Sequence, residues 1–299
     1  MRRSVRLSPR RIIGLALAGL AVFLVSATGS TAAHPFVAGE PSTRQLSLPP
    51  SASARALTRA TAIGRALGLP AGAMSVRRIE DRLEHATYDE VTTSDAAGQS
   101  TSVVTLGAEG RLRAAVVLGL HPSSAEADPA TAVSRASGIA RAADLATAGR
   151  PIVDRSAGAG GWLVTWPRIV DGAPVRGDGT RVALWVDGTF HSASTSEHPL
   201  APAPSTAASS VVATQTADAF VRSRFGSAAS SLAASGATLA WVAPNDTWDA
   251  ARPDAPDATA QLAWIVEYRA TGSLAERLVA IEVWLDAGTL EVIGGDVAE

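Results

Sequence analysis

Residues 161–194 read GWLVTWPRIVDGAPVRGDGTRVALWVDGTFHSAS, and their alternation decides the fold class. Trp162, Val164 and Trp166 fall on one side of an extended segment, with Leu163 and Thr165 on the other, the period of a half-buried strand. Asp171-Gly172 and Asp187-Gly188 interrupt the alternation, and glycine supplies the positive φ that a tight hairpin needs. The stretch therefore predicts three strands joined by two turns.

The pattern returns near the C-terminus. Trp162-Leu163-Val164-Thr165-Trp166 matches Trp264-Ile265-Val266-Glu267-Tyr268, and the segment from Ala183 to Phe190 matches Glu282 to Leu290. The same order at similar spacing argues for duplication of one supersecondary unit. Outward from these segments the chain reads as a helix followed by strands, three times. A first helix runs from Ser51 to Gly68-Leu69-Pro70, with Leu57, Ala60, Gly64 and Leu67 on one face. Strands are expected at 76–83, 85–92, 101–106 and 111–118. A second helix opens at Asp128-Pro129, where the carboxylate caps free amides and proline suits the first helical position. Its apolar stripe is Val133, Ala136, Ala140 and Ala143, and Gly149 and Pro151 end it. A third helix starts near Thr214, with Ala217, Phe220 and Val221 inward and Gly226 as its stop, and strands follow at 238–242, 262–269, 278–286 and 289–293. The expected organisation is a signal segment at 1–33, a linker at 34–50, units at 51–122, 128–199 and 211–299, and a Pro/Ala/Ser-rich linker at 200–210.

Composition narrows the function classes. Residues 1–33 join five arginines to an uncharged apolar run from Ile12 to Val25 and small residues at 25–27 and 31–33, the signature of an export signal. The run is shorter than the roughly 20 apolar residues of a spanning helix, so cleavage is expected. An uncleaved anchor would make the protein a membrane-held envelope component. Cysteine is absent and all 26 basic residues are arginine. Disulfides, lipidation at a cleavage-site cysteine, thiolate chemistry and a Schiff-base lysine are therefore excluded. Loss of the first 33 residues removes five arginines and no acid, leaving an acidic chain with no basic stripe for nucleic acid.

A helix followed by an antiparallel sheet ending Val283-Trp284-Leu285-Asp286-Ala287-Gly288-Thr289-Leu290-Glu291-Val292 resembles the PepSY family and the related fungalysin/thermolysin propeptide motif. Asp171-Gly172-Ala173-Pro174-Val175-Arg176-Gly177-Asp178 is similar to the turn between strands of that motif. The resemblance covers residues 129–299 and extends to 55–120 by pattern. It implies an α+β, cystatin-like architecture of two to three helix-on-antiparallel-sheet repeats. It further implies an exported, non-catalytic module whose partner is a protein or peptide, such as an envelope peptidase. The chain has no His-Glu-x-x-His, so it carries no zinc peptidase of its own and any such partner is a separate chain.

No catalytic, cofactor or metal residues are assigned. The five histidines are His34, His85, His121, His191 and His198; only the last pair is close in sequence, and zinc needs about three ligands held together. His34 would become the N-terminus if cleavage followed Ala33, without a second histidine placed to complete a copper site. Asp246, Asp249, Asp254 and Asp257 lie in a Pro-interrupted loop, 244–259, that reads as a solvated insertion rather than a calcium site. Glu267 with Glu282, or Asp187 with Asp286, would be the carboxylate pair of a secreted hydrolase, the alternative function. The Gly-rich runs at 158–161 and 177–179 read as turns. The candidate partner-binding residues are Trp162, Trp166, Trp185, Trp248, Trp264 and Trp284; core packing is their plainer reading, and a set exposed together would form a partner site.

Overall fold

The computed structural model describes residues 43–81, 86–119, 121, 125–155, 161–248 and 259–298. The fold is α+β. The elements run β1 (Thr43–Leu46), α1 (Pro50–Leu67), β2 (Ala73–Asp81), β3 (Ala86–Ser94), β4 (Ser100–Leu106), β5 (Leu112–Val117), α2 (Pro129–Ala142), β6 (Ile152–Arg155), β7 (Trp162–Val170), β8 (Ala173–Leu184), β9 (Phe190–Ser196), α3 (Ser210–Phe225), β10 (Leu232–Val242), β11 (Gln261–Ala270), β12 (Ala280–Asp286) and β13 (Val292–Ala298). Each α-helix is thus followed by four strands. The chain divides into two compact units. Of the described residues, one unit holds those from Thr43 to Arg168 together with Asp178–Glu197, and the other holds Ile169–Gly177 and those from His198 to Ala298.

In the N-terminal unit the strands lie in the order β1-β2-β3-β4-β5-β9-β8-β7-β6. Its helices start where the sequence supplies caps. Pro50 opens α1, and Gly68 closes it in the left-handed region. The Asp128 side chain accepts from the Thr131 amide, and Pro129 takes the first turn of α2. That hydrogen bond, then the Thr131 hydroxyl, holds the Asp128 carboxyl below its ordinary range. The two helices meet the sheet through small residues four apart. Ala56 and Ala60, with Ile63 and Leu67, pack on Val91, Val104 and Leu106. Ala132, Ala136 and Ala140 pack on Trp162, Val164, Trp166 and Leu184. Residues four apart share a helix face, and alanines there let the axis approach closely enough for tryptophan to fill the space.

In the C-terminal unit β10, β11, β12 and β13 form an antiparallel meander. The hairpin tip at 169–177 joins it through a parallel bridge between Val175 and Trp241. Helix α3, capped by the Ser209 side chain, lays Ala213, Ala217 and Val221 on Val266, Tyr268, Ile281 and Val283. The opposite face of the sheet buries Ile265, Trp284 and Ile293. At about 25 cal/mol per Å² over the ~150–250 Å² that a tryptophan buries, each enclosed indole contributes on the order of 4–6 kcal/mol of transfer free energy, an upper bound.

Several expectations change. The stripe of α2 uses Ala132, with Val133 only half buried, and α2 ends at Ala142, well before Gly149. Helix α3 begins at Ser210, and β10 begins at Leu232 rather than Thr238. The expected linker at 200–210 is tied down: Leu200 bridges Ala260, Ala208 donates to the Ala287 carbonyl, and the Trp264 indole donates to the Ala208 carbonyl. Only its prolines lack a backbone donor, so the amides of Ala201 and Ala208 and the Ala208 carbonyl are all used to dock the segment. Part of the other linker, 34–50, is β1, paired with β2. Gly177 and Gly179 lie inside β8 rather than in a turn. The signal segment at 1–33, His34, His85, Asp249, Asp254 and Asp257 lie outside the described residues.

Candidate functional site

The six candidate tryptophans separate into three groups. Trp162, Trp166 and Trp284 are buried. The Trp162 indole donates to the Ala127 carbonyl at 3.0 Å, and the Arg155 guanidinium lies 3.9 Å over its ring. Trp264 and Trp248 are half buried and pack on the α3 core. Trp248 donates to the Glu282 carbonyl at 3.0 Å and meets Phe220 and Phe225 edge-on. Trp185 differs. It stands at the head of the β8–β9 turn, half buried like Trp248 and Trp264, but packed on imidazoles: stacked on His121 at 5.9 Å between ring centroids and tilted against His191 at 4.3 Å. The six candidates therefore do not form one surface, and the reading of their recurrence as core packing holds for the three enclosed rings.

Trp185 lines a groove of about 630 Å³ in the N-terminal unit. Leu67 at the end of α1, Ile139 on α2, Val117 and Phe190 make it apolar, while His121, Arg135 and Thr189 are its polar members. The turn beside it is held by Asp187. One carboxylate oxygen accepts from the Thr189 amide at 2.9 Å and the Thr189 hydroxyl at 2.7 Å. The other accepts from His121 Nε2 at 2.8 Å. Burial alone would raise the Asp187 carboxyl, but these three donors outweigh it and hold the group well below the ordinary carboxylate range. Arg135 Nη1 donates to the Asp187 carbonyl at 2.6 Å. Gly188 makes room, since a Cβ there would lie 2.7 Å from that nitrogen.

Asp187, His121 and Thr189 are the residue types of a nucleophile relay, but their geometry is not one. Thr189 Oγ1 lies 3.1 Å from the same Nε2 that meets Asp187. A relay needs the hydroxyl on one ring nitrogen and the carboxylate on the other. Here Nε2–H points to both oxygens, and the hydroxyl proton goes to Asp187. Asp95 and Asp286 perform the same turn-closing task, accepting from Ala97 and Gln99, and from Gly288 and Thr289.

The carboxylate pairs fare differently from one another. Asp187 and Asp286 belong to separate units, each engaged in its own turn. Glu267 and Glu282 do face each other across β11 and β12. Glu282, however, shares the face of Trp284, whose indole donates to it at 2.9 Å. Arg176 pairs with Glu282 through both guanidinium arms and lies 5.6 Å over the Trp284 ring. Arg269, then Ser235, keeps the Glu267 carboxyl below its ordinary range, the opposite of what a general acid requires. His191 and His198, neighbours in sequence, fall in different units. The Nδ1 of His191 is buried without a hydrogen-bond partner, and burial lowers its pKa. Among the described residues no three His, Asp or Glu side chains are placed to hold a metal, and no helix is long and apolar enough to cross a membrane.

The described part of the Asp-rich loop is also not simply solvated. Asn245 behaves as a one-residue strand against β13. Its amide donates to the Ile293 carbonyl, its Nδ2 to the Gly295 carbonyl at 2.8 Å, and its Oδ1 accepts the Gly295 amide at 3.0 Å. This covers backbone groups that an edge strand would otherwise expose. A Cβ on Gly295 would stand 1.8 Å from Trp248 Nε1, so the Gly294-Gly295 pair is what lets the loop close on the sheet. Sequence reasoning had no signal for this, nor for Arg135, Leu67 and Phe190, because the groove is assembled from four separated segments with no spacing in common.

No family model matches the chain, and no curated protein does. Among solved structures it is similar to the Bacillus megaterium YpeB C-terminal domain, with a TM-score of 0.46, 12% sequence identity, and coverage of 86% of this chain and 99% of that chain.

Proposed function

We propose that this is an exported, non-enzymatic module of PepSY-like units that binds a protein or peptide partner, with an exported peptidase as the partner class to test first. Three elements of the same kind support the repeat: a helix with small residues four apart, then a four-stranded antiparallel meander, in 51–122, 128–199 and 211–299. The observation that carries the binding reading is the groove, where Trp185, the tryptophan that stands beside two imidazoles, joins an apolar lining. Grooves of roughly 300–1,000 Å³ with few polar groups are the usual form of a ligand site. The geometry around Asp187 closes a turn rather than activating a nucleophile, which supports a binding role over hydrolysis. Export follows from the basic and apolar N-terminal segment, and mass spectrometry of the protein from the cell exterior should find a chain beginning after Ala27 or Ala33.

The test uses the chain from residue 34 immobilised and exposed to the exported proteins of its own cell. The reading expects a partner retained by the wild type and retained roughly tenfold less by W185A, with both proteins showing the same far-ultraviolet circular dichroism. If neither protein retains anything, the module reading fails. If both retain the partner equally, the groove is not its site.

A further inference from the structure

The lining of the groove contains no carboxylate, and its two ionisable members are Arg135 and His121. Asp187, beside the groove, is already engaged by the Thr189 amide, the Thr189 hydroxyl and His121. His121 Nε2–H is committed to that carboxylate. Arg135 is not saturated. Its Nη1 rests on the Asp187 carbonyl, which fixes where the guanidinium sits. A guanidinium carries five N–H donors in a planar fork, so the remainder of the fork is available to an outside acceptor. A fork of this kind matches a carboxylate better than any neutral group. Below it lie Leu67, Val117, Ile139 and Phe190, with Trp185 as one wall.

We infer that the groove receives the C-terminal end of a peptide, its terminal carboxylate on Arg135 and its last apolar side chains on Trp185 and Phe190. This rests on the partner-binding reading above and specifies the part of the partner that enters. An internal apolar segment brings no charge to the guanidinium, and an internal Asp or Glu brings its carboxylate at the expense of a side chain that the apolar lining would otherwise take. A chain end supplies both the anion and the apolar side chains within the few residues that such a volume holds.

The experiment is a fluorescence-anisotropy titration of the chain from residue 34 with fluorescein-Ala-Leu-Val-Phe carrying a free terminal carboxylate. The C-terminal amide of the same peptide and the fatty acid dodecanoate serve as comparison ligands. The free acid should bind at least about tenfold more tightly than the amide, ~1.4 kcal/mol at 25 °C. R135Q should bring the acid to the level of the amide, and R135K should restore only part of the difference. Equal affinity for acid and amide, or no saturable binding of either, overturns the inference. So does displacement by dodecanoate without peptide binding, which would make this a fatty-acid site. If R135Q still captures the exported partner while no peptide binds, the chain-end assignment falls and the partner-binding reading stands. If the wild type captures no partner but binds the acid selectively, the reverse holds.

Discussion

Asp187 shows how much a single carboxylate settles here. It closes the β8–β9 turn, orients His121 and, through its carbonyl, seats Arg135. D187N keeps the shape but weakens charge-assisted bonds, so a loss of about 1–2 kcal/mol is expected from denaturant unfolding at pH 7. The folded-state pKa is depressed. Its stabilisation is therefore full above the ordinary carboxylate value of about 4 and is lost as pH falls below it. The gap between wild type and D187N should accordingly narrow in acid; a gap that stays constant would show the effect is steric. Gly295 is decided by space instead. Its added Cβ in G295A meets Trp248 Nε1 at 1.8 Å and the Glu282 carbonyl at 2.3 Å, and neither is a free side-chain end. A loss of at least about 1–3 kcal/mol is expected, together with a red shift in the emission of Trp248 as the loop lifts away.

The elements share one packing device. Ala52, Ala56 and Ala60 on α1, Ala132, Ala136 and Ala140 on α2, and Ala213 and Ala217 on α3 are all buried at a spacing of four. Bulk on such a ridge pushes the helix off its sheet. A136L should cost about 1–3 kcal/mol, while S134L, on the exposed side of the same helix, should stay within roughly 0.5 kcal/mol; similar losses for both would refute the ridge. The hairpin tip at 169–177 is secured differently. Arg176 pairs with the largely buried Glu282 and covers Trp284. R176Q leaves Glu282 with a weaker partner, and a loss of about 1–3 kcal/mol is expected in calorimetric or denaturant unfolding.

For the molecule as a whole the titrating groups set a pH window. Burial lowers the His191 imidazole, so the unfolded chain takes up its proton first and stability declines as pH falls through about 6.5. The depressed carboxyls of Asp128, Asp187 and Glu267 add a second decline below about pH 4. Tyr268 acts at the other end. Burial, and then its bond to Asp218 at 2.7 Å, raises its hydroxyl far above the ordinary value. The unfolded chain therefore ionises first, and stability falls above about pH 10. Melting temperature should plateau between roughly pH 7 and 10 and fall on both sides. H191F should flatten the step near pH 6; an unchanged step would show that another group produces it.

The sequence by itself determined the α+β class, the three helices each followed by strands, the Asp128-Pro129 start, the Gly68 stop and the Asp-Gly turns; it missed β1 and the Ser209 cap and took 177–179 as a turn. The features it determined depend on local physics: a period of two for strands, apolar residues three and four apart for helices, Asp-Pro at an N-terminus, and Asp-Gly at a hairpin. It also fixed what chemistry is barred, since cysteine and lysine are missing. Even there, local reading took 200–210 as a free linker, because the docking of a segment on a distant strand is not a local property. Only the tertiary structure separated the enclosed tryptophans from Trp185, brought His121 beside it, and showed Asn245 sealing β13. Those arrangements join residues tens of positions apart, and a chain's periodicity carries no information about which distant segments will share a surface once the core has closed.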